Sequence, residues 1–191
     1  MQVTLIDHTV DPEARIGEMA AICYDANTER DANIRRATHC KEAGHLATLR
    51  FAYATFHIAG ISRVCSHQLV RVAHAGILQR SQRYVRETGI EYVDPPALRE
   101  APGRFRDAWE RVQEQAEDLY LYALEHGIMK REDARYILPQ GCNTDLNLCL
   151  NFQGWRDLLR NRNDKSAQWE VRAVAQEIQR QLGAVAPNIF G

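Results

Sequence analysis

A run of 44 residues without a carboxylate, residues 43–86, is the feature that most limits how this chain can fold. All 25 Asp and Glu residues lie outside it, although the run makes up almost a quarter of the chain. Its positive charges therefore have no local partner, and they come from Arg50, Arg63, Arg71, Arg80, Arg83 and Arg86. Guanidinium groups bind phosphates and carboxylates well, so the run predicts an anion-binding site. The alternative is a buried segment whose arginines form ion pairs with distant carboxylates.

The rest of the composition is that of an ordinary soluble domain. The chain has 191 residues, a formal net charge of −1 and 45% hydrophobic residues, which fits one domain, residues 1–191, with a helical insertion at about 97–138. The chain contains no apolar run of about 18 residues, so no membrane span is expected. Its first residues lack the pattern of a signal peptide. Five cysteines without a CxxC pair favour reduced thiols, so we expect a cytoplasmic protein.

The apolar pattern predicts a mixed α+β fold. Strands are expected at residues 3–6, 49–58 and 143–151, the last with strict alternation of polar and apolar residues. Helices are expected at residues 12–24, 32–43, 104–126, 131–138, 155–162 and 165–182. On the first helix, Ile16, Met19, Ala20 and Cys23 form the predicted buried side. The helix at 104–126 has one apolar side that suits packing or oligomerisation.

Within the acid-free run, residues 61–73 show the spacing of another amphipathic helix, preceded by Gly60 and ended by Gly76. The polar stripe of this helix would be Arg63, His67, Arg71 and His74. The next segment, residues 79–84, has the period of neither a helix nor a strand and is dense in hydrogen-bond donors. We expect it to form a loop in which a hydroxyl, backbone N–H groups and guanidinium converge on an anion, gripped by Arg71 and Arg83.

This segment resembles the signature of the flavin-dependent thymidylate synthases, the ThyX family. The family pattern is Arg-His-Arg, seven residues, then Ser, and Arg71 and Ser81 occupy its first and last positions. A second signature, an Arg followed six residues later by Gln-Trp-Glu, is matched by Arg162 and the segment 168–170. The end of the chain is similar to the family's Pro-x-Ile-Phe. The resemblance therefore covers nearly the whole chain.

The resemblance implies a ThyX-like fold, with a central, mostly antiparallel sheet packed by helices, in a homotetramer. It also implies methylation of a uridine monophosphate at C5. Methylenetetrahydrofolate would donate the carbon, and FAD reduced by NADPH would supply the hydride. The cofactor would then perform the redox chemistry while the protein orients the reactants.

The resemblance also implies roles for individual residues. The nucleotide phosphate and sugar would be bound by Arg71, Ser81, Gln82, Arg83 and Arg135, with Gln68 and Gln79 lining the site. Arg162 would hydrogen-bond and polarise a uracil carbonyl, which makes it the expected catalytic residue. The flavin would be contacted by His45, Arg71, Asn151 and Asp157.

The chain departs from the family pattern on the flavin side. Val72 and Ala73 stand where the family has His and Arg, and Arg50 and Phe51 replace a Glu-His pair. Gln153 stands in place of a family Arg. These changes predict weaker retention of FAD.

A divergent sequence of this kind also resembles a specialised relative, the UMP/dUMP methylase of nucleoside-antibiotic biosynthesis. The alternative is a non-catalytic nucleotide-binding protein that kept the phosphate pocket and lost the flavin chemistry. Nucleic-acid binding is a weaker option, because the sequence pI is near 6.7 and no basic stripe carries interleaved aromatic residues. The scattered histidines favour no metal site, and no cysteine stands in a recognisable nucleophile motif.

Overall fold

The computed structural model describes residues 1–26 and 28–191. Its strands are β1 (Gln2–His8), β2 (Tyr53–Ser62), β3 (Gly76–Gln79) and β4 (Asn143–Asn151). The α-helices are α1 (Pro12–Ala21), α2 (Arg30–Glu42), α3 (Arg63–Leu69), α4 (Gly103–Glu125), α5 (Arg131–Ala134), α6 (Phe152–Arg162), α7 (Trp169–Val185) and α8 (Pro187–Phe190). Short 3₁₀ turns cover Ile22–Tyr24, Leu46–Phe51, Pro96–Glu100 and Arg135–Ile137.

The strands form one sheet in the order β1-β2-β4-β3. β1 pairs antiparallel to β2, with Val3 opposite Ile58 and Leu5 opposite Phe56, and the register shifts between Leu5 and Asp7. The sheet and its surrounding helices confirm the α+β class. Among the described residues, no helix combines the length and the apolar character that a membrane crossing requires.

The alternating segment at residues 143–151 was predicted with the bounds that the structure has. In β4 every second side chain is buried, namely those of Thr144, Leu146, Leu148 and Leu150. Successive side chains of a strand point to opposite faces, so this pattern buries one face of β4. The prediction is confirmed.

The helix predicted at residues 61–73 is confirmed in its middle and wrong at both ends. Residues 60–62 continue strand β2, and α3 covers only Arg63–Leu69. β-branched valines at 70 and 72 weaken a helix, and His74 adopts a left-handed backbone with φ of 58°. Gly76, expected to end the helix, instead begins strand β3, which the sequence did not reveal.

Other boundaries also differ from prediction, among them the start of α6 at Phe152 and the end of α5 at Ala134. Residues 46–51 form a 3₁₀ turn where the strand was expected to begin. Cys23 is exposed, because α1 ends at Ala21 and the following 3₁₀ turn breaks the helical period. Helix α7 starts at Trp169, since the Gln168 side chain accepts hydrogen bonds from the N–H groups of residues 170 and 171 and caps the helix.

The chain divides into two compact units. Unit 1 comprises Met1–Ala59, Gln68–Leu78 and Leu146–Gly191, and unit 2 comprises Gly60–His67 and Gln79–Asp145. The predicted helical insertion, residues 97–138, contains α4 and α5 and belongs to unit 2. That it is an insertion into a single domain stays a prediction.

The core of unit 1 is organised around Trp155 of α6. This side chain is fully buried, and its Nε1–H donates to the backbone oxygen of Ala54 at 3.0 Å. Its ring meets Phe56 edge-on, with ring centroids 5.1 Å apart. Helices α1 and α2 also pack closely, because a side chain at Gly17 would collide with the backbone of Asn33.

In unit 2, helix α4 packs against the short helix α5. Tyr120 and Ala123 of α4 and Ala134 of α5 form a small buried cluster. The Tyr120 hydroxyl accepts a hydrogen bond from the backbone N–H of Glu87 at 3.1 Å. The apolar side predicted for this helix is only partly buried, since Phe105, Val112 and Leu119 are exposed.

Replacing Trp155 by Phe should lower the free energy of unfolding by about 2 kcal/mol, because ring volume is lost and a buried carbonyl loses its donor. Urea unfolding followed by circular dichroism measures this change. Trp169→Phe is the matched control, since Trp169 is 36% exposed. Equal stability losses in the two variants would contradict this description of the core.

Candidate functional site

A cavity of about 210 Å³ in unit 1 contains several of the predicted site residues. We call it the Arg162 cavity, and its lining includes Gln68, Arg71, Val72, Ala73, Asp157 and Arg162. Leu69, Leu158 and Asn161 complete the wall. The cavity is therefore lined both by polar groups that can form hydrogen bonds and by apolar side chains that can cover a ring.

Arg162 is held at this cavity by a hydrogen bond to the backbone. Its Nη2 donates to the carbonyl oxygen of Gln68 at 2.8 Å. Gln68 lies in the last turn of α3, where carbonyls lack partners within the helix, and Arg162 is the last residue of α6. A guanidinium at this position also suits the negative end of the α3 dipole. Arg162 has five N–H donors, and this bond uses one of them.

Arg71 stands at the same cavity without a partner. Its side chain is exposed and makes no hydrogen bond or ion pair with any described residue of the chain. The two residues that depart from the family signature, Val72 and Ala73, also line this cavity. The missing His and Arg are therefore replaced by apolar atoms at the cavity wall.

The residues predicted to contact a flavin all lie in unit 1, but only some share this cavity. Asp157 lines it, accepts a hydrogen bond from Gln153 Nε2 at 3.0 Å and pairs with Arg160 at 3.3 Å. The side chain of Asn151 caps α6 by accepting from the backbone N–H of Gly154 at 2.9 Å. His45 is exposed before the 3₁₀ turn of residues 46–51 and is not among the residues that line the cavity.

Unit 2 carries the other predicted substrate residues. The Gln79 side chain is half-buried and donates to Ser66 Oγ at 2.9 Å and to Thr144 Oγ1 at 3.3 Å. The Ser81 hydroxyl accepts from the backbone N–H of Arg83 at 3.2 Å, which closes a tight turn. We call residues 81–83 the 81–83 loop.

Glu132 brings two of the predicted phosphate ligands together. Its carboxylate accepts from Arg83 Nε at 2.8 Å, and its backbone oxygen accepts from Arg135 Nε at 3.0 Å. Both guanidinium groups are exposed. An exposed ion pair of this kind contributes little to stability, so Arg83 can exchange its carboxylate for another anion.

A cavity of about 500 Å³, the Arg83 cavity, opens next to this pair. Four cationic side chains line it, from Arg83, Arg86, Lys130 and Arg131, against the single carboxylate of Glu132. Arg131 is fixed by a hydrogen bond from Nη1 to the backbone oxygen of Tyr84 at 3.0 Å. The excess of positive charge favours an anionic ligand.

A buried ionic cluster anchors the start of the 81–83 loop. Arg80 Nη2 donates to Glu87 Oε2 at 3.0 Å, and Arg63 Nη2 donates to the backbone oxygen of Arg80 at 2.9 Å. Arg63 lies 4.0 Å from the other Glu87 oxygen, and burial lowers its pKa from the ordinary value although Glu87 opposes the shift. Glu87 is 7% exposed, so this carboxylate belongs to the interior of unit 2.

Glu87 belongs to no motif that sequence patterns reveal. Its position was a usable signal, because it is the first carboxylate after the acid-free run. The arginines of that run differ in whether they pair with a carboxylate. Arg63 and Arg80 meet Glu87, Arg83 meets Glu132 and Arg86 meets Glu125, whereas Arg50 and Arg71 pair with nothing in the described part of the chain.

Cys142 is the cysteine whose acidity the structure most clearly perturbs among the described residues. All five are free thiols. Cys142 lies in unit 2, and burial raises its pKa to about 11, so the neutral thiol persists at neutral pH. Within residues 1–26 and 28–191, no group of three or more His, Cys, Asp and Glu side chains is placed to hold a metal ion.

Comparison with known proteins identifies the family. The family described as thymidylate synthase complementing protein matches residues 4–188. A protein of Geobacter sulfurreducens named flavin-dependent thymidylate synthase is 35% identical over 202 residues, which cover 100% of this chain and 85% of the relative. Proteins with the same name from Mycobacteroides abscessus and Thermococcus onnurineus are 34% and 32% identical. They cover 88% and 98% of this chain, and 74% and 80% of the relatives.

The match extends over both units and includes the Arg162 cavity, the 81–83 loop and the arginine pair at Glu132. The three relatives carry the same name, and each aligns with most of this chain, as the family does. This chain therefore belongs to the ThyX family, the flavin-dependent thymidylate synthases.

Proposed function

We propose that this protein is a methyltransferase that adds a methyl group to C5 of a uridine monophosphate. Methylenetetrahydrofolate donates the carbon, and FAD reduced by NADPH is the hydride source. The observation that carries the proposal is the Arg162 cavity, where a guanidinium anchored on Gln68 stands beside the unpartnered Arg71. The names of the relatives support the same reaction class.

The proposed role of Arg162 is to bind and polarise the uracil ring. One of its N–H donors is spent on Gln68, which fixes the plane of the guanidinium and leaves donors for a carbonyl of the base. A fixed positive charge at that carbonyl stabilises electron density drawn from C5 in the transition state. Leu69 and Leu158 of the cavity wall would cover the faces of the ring and exclude water.

The proposed ligands of the nucleotide phosphate and sugar are Arg71, Ser81, Gln82, Arg83 and Arg135. Arg83 and Arg135 already converge on Glu132, and the 81–83 loop adds the Ser81 hydroxyl and backbone N–H groups. A phosphate oxygen would replace the Glu132 carboxylate as the partner of Arg83. This exchange conserves the charge-assisted hydrogen bond.

The donor set of unit 1 also fits part of a flavin. The Arg162 cavity offers Arg71 as a free cation, Asp157 as an acceptor and the apolar atoms of Val72 and Ala73. When bound, FAD supplies the hydride that reduces the transferred carbon unit. Arg71, Asp157, Asn151 and His45 are the residues proposed to hold it.

The proposed nucleotide substrates are both UMP and dUMP. The altered wall at Val72 and Ala73 supports a specialised member of the family, such as one that serves nucleoside-antibiotic biosynthesis. The product in either case is a 5-methyl pyrimidine nucleotide.

We also propose a homotetramer. Helix α4 exposes Phe105, Val112 and Leu119, which are spaced by seven residues and therefore form one stripe. An exposed apolar stripe of this length on a helix suits burial against another copy of the chain.

The direct test supplies the protein with UMP or dUMP, methylenetetrahydrofolate, FAD and NADPH. Chromatography with mass spectrometry should detect the 5-methyl nucleotide together with oxidation of NADPH. Nucleotide binding without either product or NADPH oxidation would favour the non-catalytic alternative instead.

Arg162→Gln should lower kcat/KM by about 100-fold, roughly 3 kcal/mol of transition-state stabilisation, because the polarising charge is lost. Steady-state kinetics with saturating FAD measures this loss. Arg180→Gln is the control, since Arg180 is exposed on α7 and pairs with Glu177. A loss below threefold in the Arg162 variant would refute its proposed role.

Restoring the family residues with Val72→His and Ala73→Arg should tighten FAD binding about tenfold, because a charged donor returns to the cavity wall. Titration of the flavin absorbance measures the Kd. Gln176→Arg adds the same charge on exposed α7 and should leave the Kd unchanged. An unchanged Kd in the double variant would show that these departures do not govern FAD retention.

Glu87→Gln should raise the KM for the nucleotide about fivefold with a smaller effect on kcat, because Arg80 loses its buried partner and the 81–83 loop loosens. The control is Glu125→Gln, which removes an exposed carboxylate from Arg86. Equal KM values in both variants, each checked for folding by circular dichroism, would exclude the anchoring role of Glu87.

A further inference from the structure

Unit 1 contains a second cavity, of about 540 Å³, on another side of helix α6. We call it the Arg156 cavity. Three residues of its wall carry buried side-chain atoms that lack any hydrogen-bond partner in the described part of the chain: Arg156 Nη1, Gln153 Oε1 and Asn163 Oδ1. One is a cationic donor and two are amide acceptors. Buried polar groups are nearly always satisfied in folded proteins, so three at one cavity point to a ligand.

The other charged side chains of this wall are already engaged. Arg160 pairs with Asp157 at 3.3 Å, and Lys41 Nζ donates to the backbone oxygen of Asn188 at 2.8 Å. Asp164 accepts from the backbone N–H and the hydroxyl of Ser166. Arg156 is thus the cation of the cavity that has no partner among the described residues.

The three unpartnered atoms define the chemistry of a ligand that would fit this cavity. The guanidinium N–H of Arg156 requires an acceptor, best supplied by a carboxylate. The amide oxygens of Gln153 and Asn163 require N–H or O–H donors. Leu46, Leu159 and Ile189 add apolar surface that suits methylene groups. A chain of secondary amides, methylenes and carboxylates combines all these groups, and a glutamyl peptide is such a chain.

The cavity adjoins the proposed reaction site. Asp157 lines both the Arg162 cavity and the Arg156 cavity, so the two cavities adjoin, and a ligand bound beside the first can extend its tail into the second. We propose that the Arg156 cavity binds the glutamyl tail of the one-carbon donor. This inference rests on the proposed function, because that reaction requires a folate.

The test uses p-aminobenzoyl-pentaglutamate, which carries the tail without the reacting pterin. Isothermal titration calorimetry on the full chain should show saturable binding. Arg156→Met should weaken it about tenfold or more, the effect of one charge-assisted hydrogen bond. Asn163→Ala should weaken it less, because a neutral acceptor is lost. Arg15→Met, which changes the net charge equally on exposed helix α1, should bind as the unaltered chain does.

Kinetics separates this inference from the proposed reaction. The KM for methylenetetrahydrofolate should fall as the glutamyl chain is lengthened from one to five residues, and Arg156→Met should abolish that dependence. Methylation with no dependence on chain length overturns the tail site alone. Probe binding that needs Arg156, without methylation, supports the tail site and contradicts the reaction. Absence of probe binding, or binding that is equal in Arg156→Met and Arg15→Met, overturns the inference.

Discussion

The hydrogen bond from Arg162 to the carbonyl of Gln68 is the contact on which the candidate site depends. It joins the last residue of α6 to the last turn of α3, over a separation of 94 residues. Both helix ends carry backbone carbonyls without helical partners, so a guanidinium is well suited to this junction. The bond fixes the position of the Arg162 guanidinium and uses one of its N–H donors. The guanidinium is therefore a fixed positive charge with further donors for a ligand.

The acid-free run shows how one charge pattern can serve two purposes. Arg63 and Arg80 meet the buried Glu87 and hold the entry to the 81–83 loop. Arg71, in the same run, has no partner in the described part of the chain and lines the Arg162 cavity. Removing carboxylates from the run prevents local ion pairs, so each arginine pairs either with a distant carboxylate or with none. The ion-pair expectation is thus met by four of the six arginines, and anion binding by this run stays a prediction.

Local patterns predicted the regular elements well. The alternation of β4 was clear because one face is buried, and α4 ends as expected before Gly127, which has φ of 65°. The extent of α3 was not predictable, since Ile61 and Cys65 fit either a strand end or a helix face. Strand β3 has only four residues and shows a weak alternation. Short elements of this kind are determined by their neighbours in the sheet, which sequence periodicity does not reveal.

The candidate site was harder to predict than the fold. Arg71 and Arg83 were predicted as anion ligands from the acid-free run and its loop, and Arg135 and Arg162 were predicted from the family resemblance, because its motifs preserve spacing. Glu87 and Arg156 were missed, since each matters through burial and unpaired atoms rather than through a motif. A side chain's burial and partners depend on contacts between distant segments. These contacts cannot be inferred from the periodicity or the motifs of a single sequence.

The most direct test of the polarising role of Arg162 is the infrared difference spectrum of bound UMP labelled with ¹³C at C2 or at C4. Hydrogen bonding to a fixed guanidinium lowers the stretching frequency of the carbonyl that it contacts. The account predicts that one of the two bands shifts to lower frequency on binding and returns toward its solution value in Arg162→Gln. Bands that stay at their solution frequencies, or that shift equally in the variant, would contradict it.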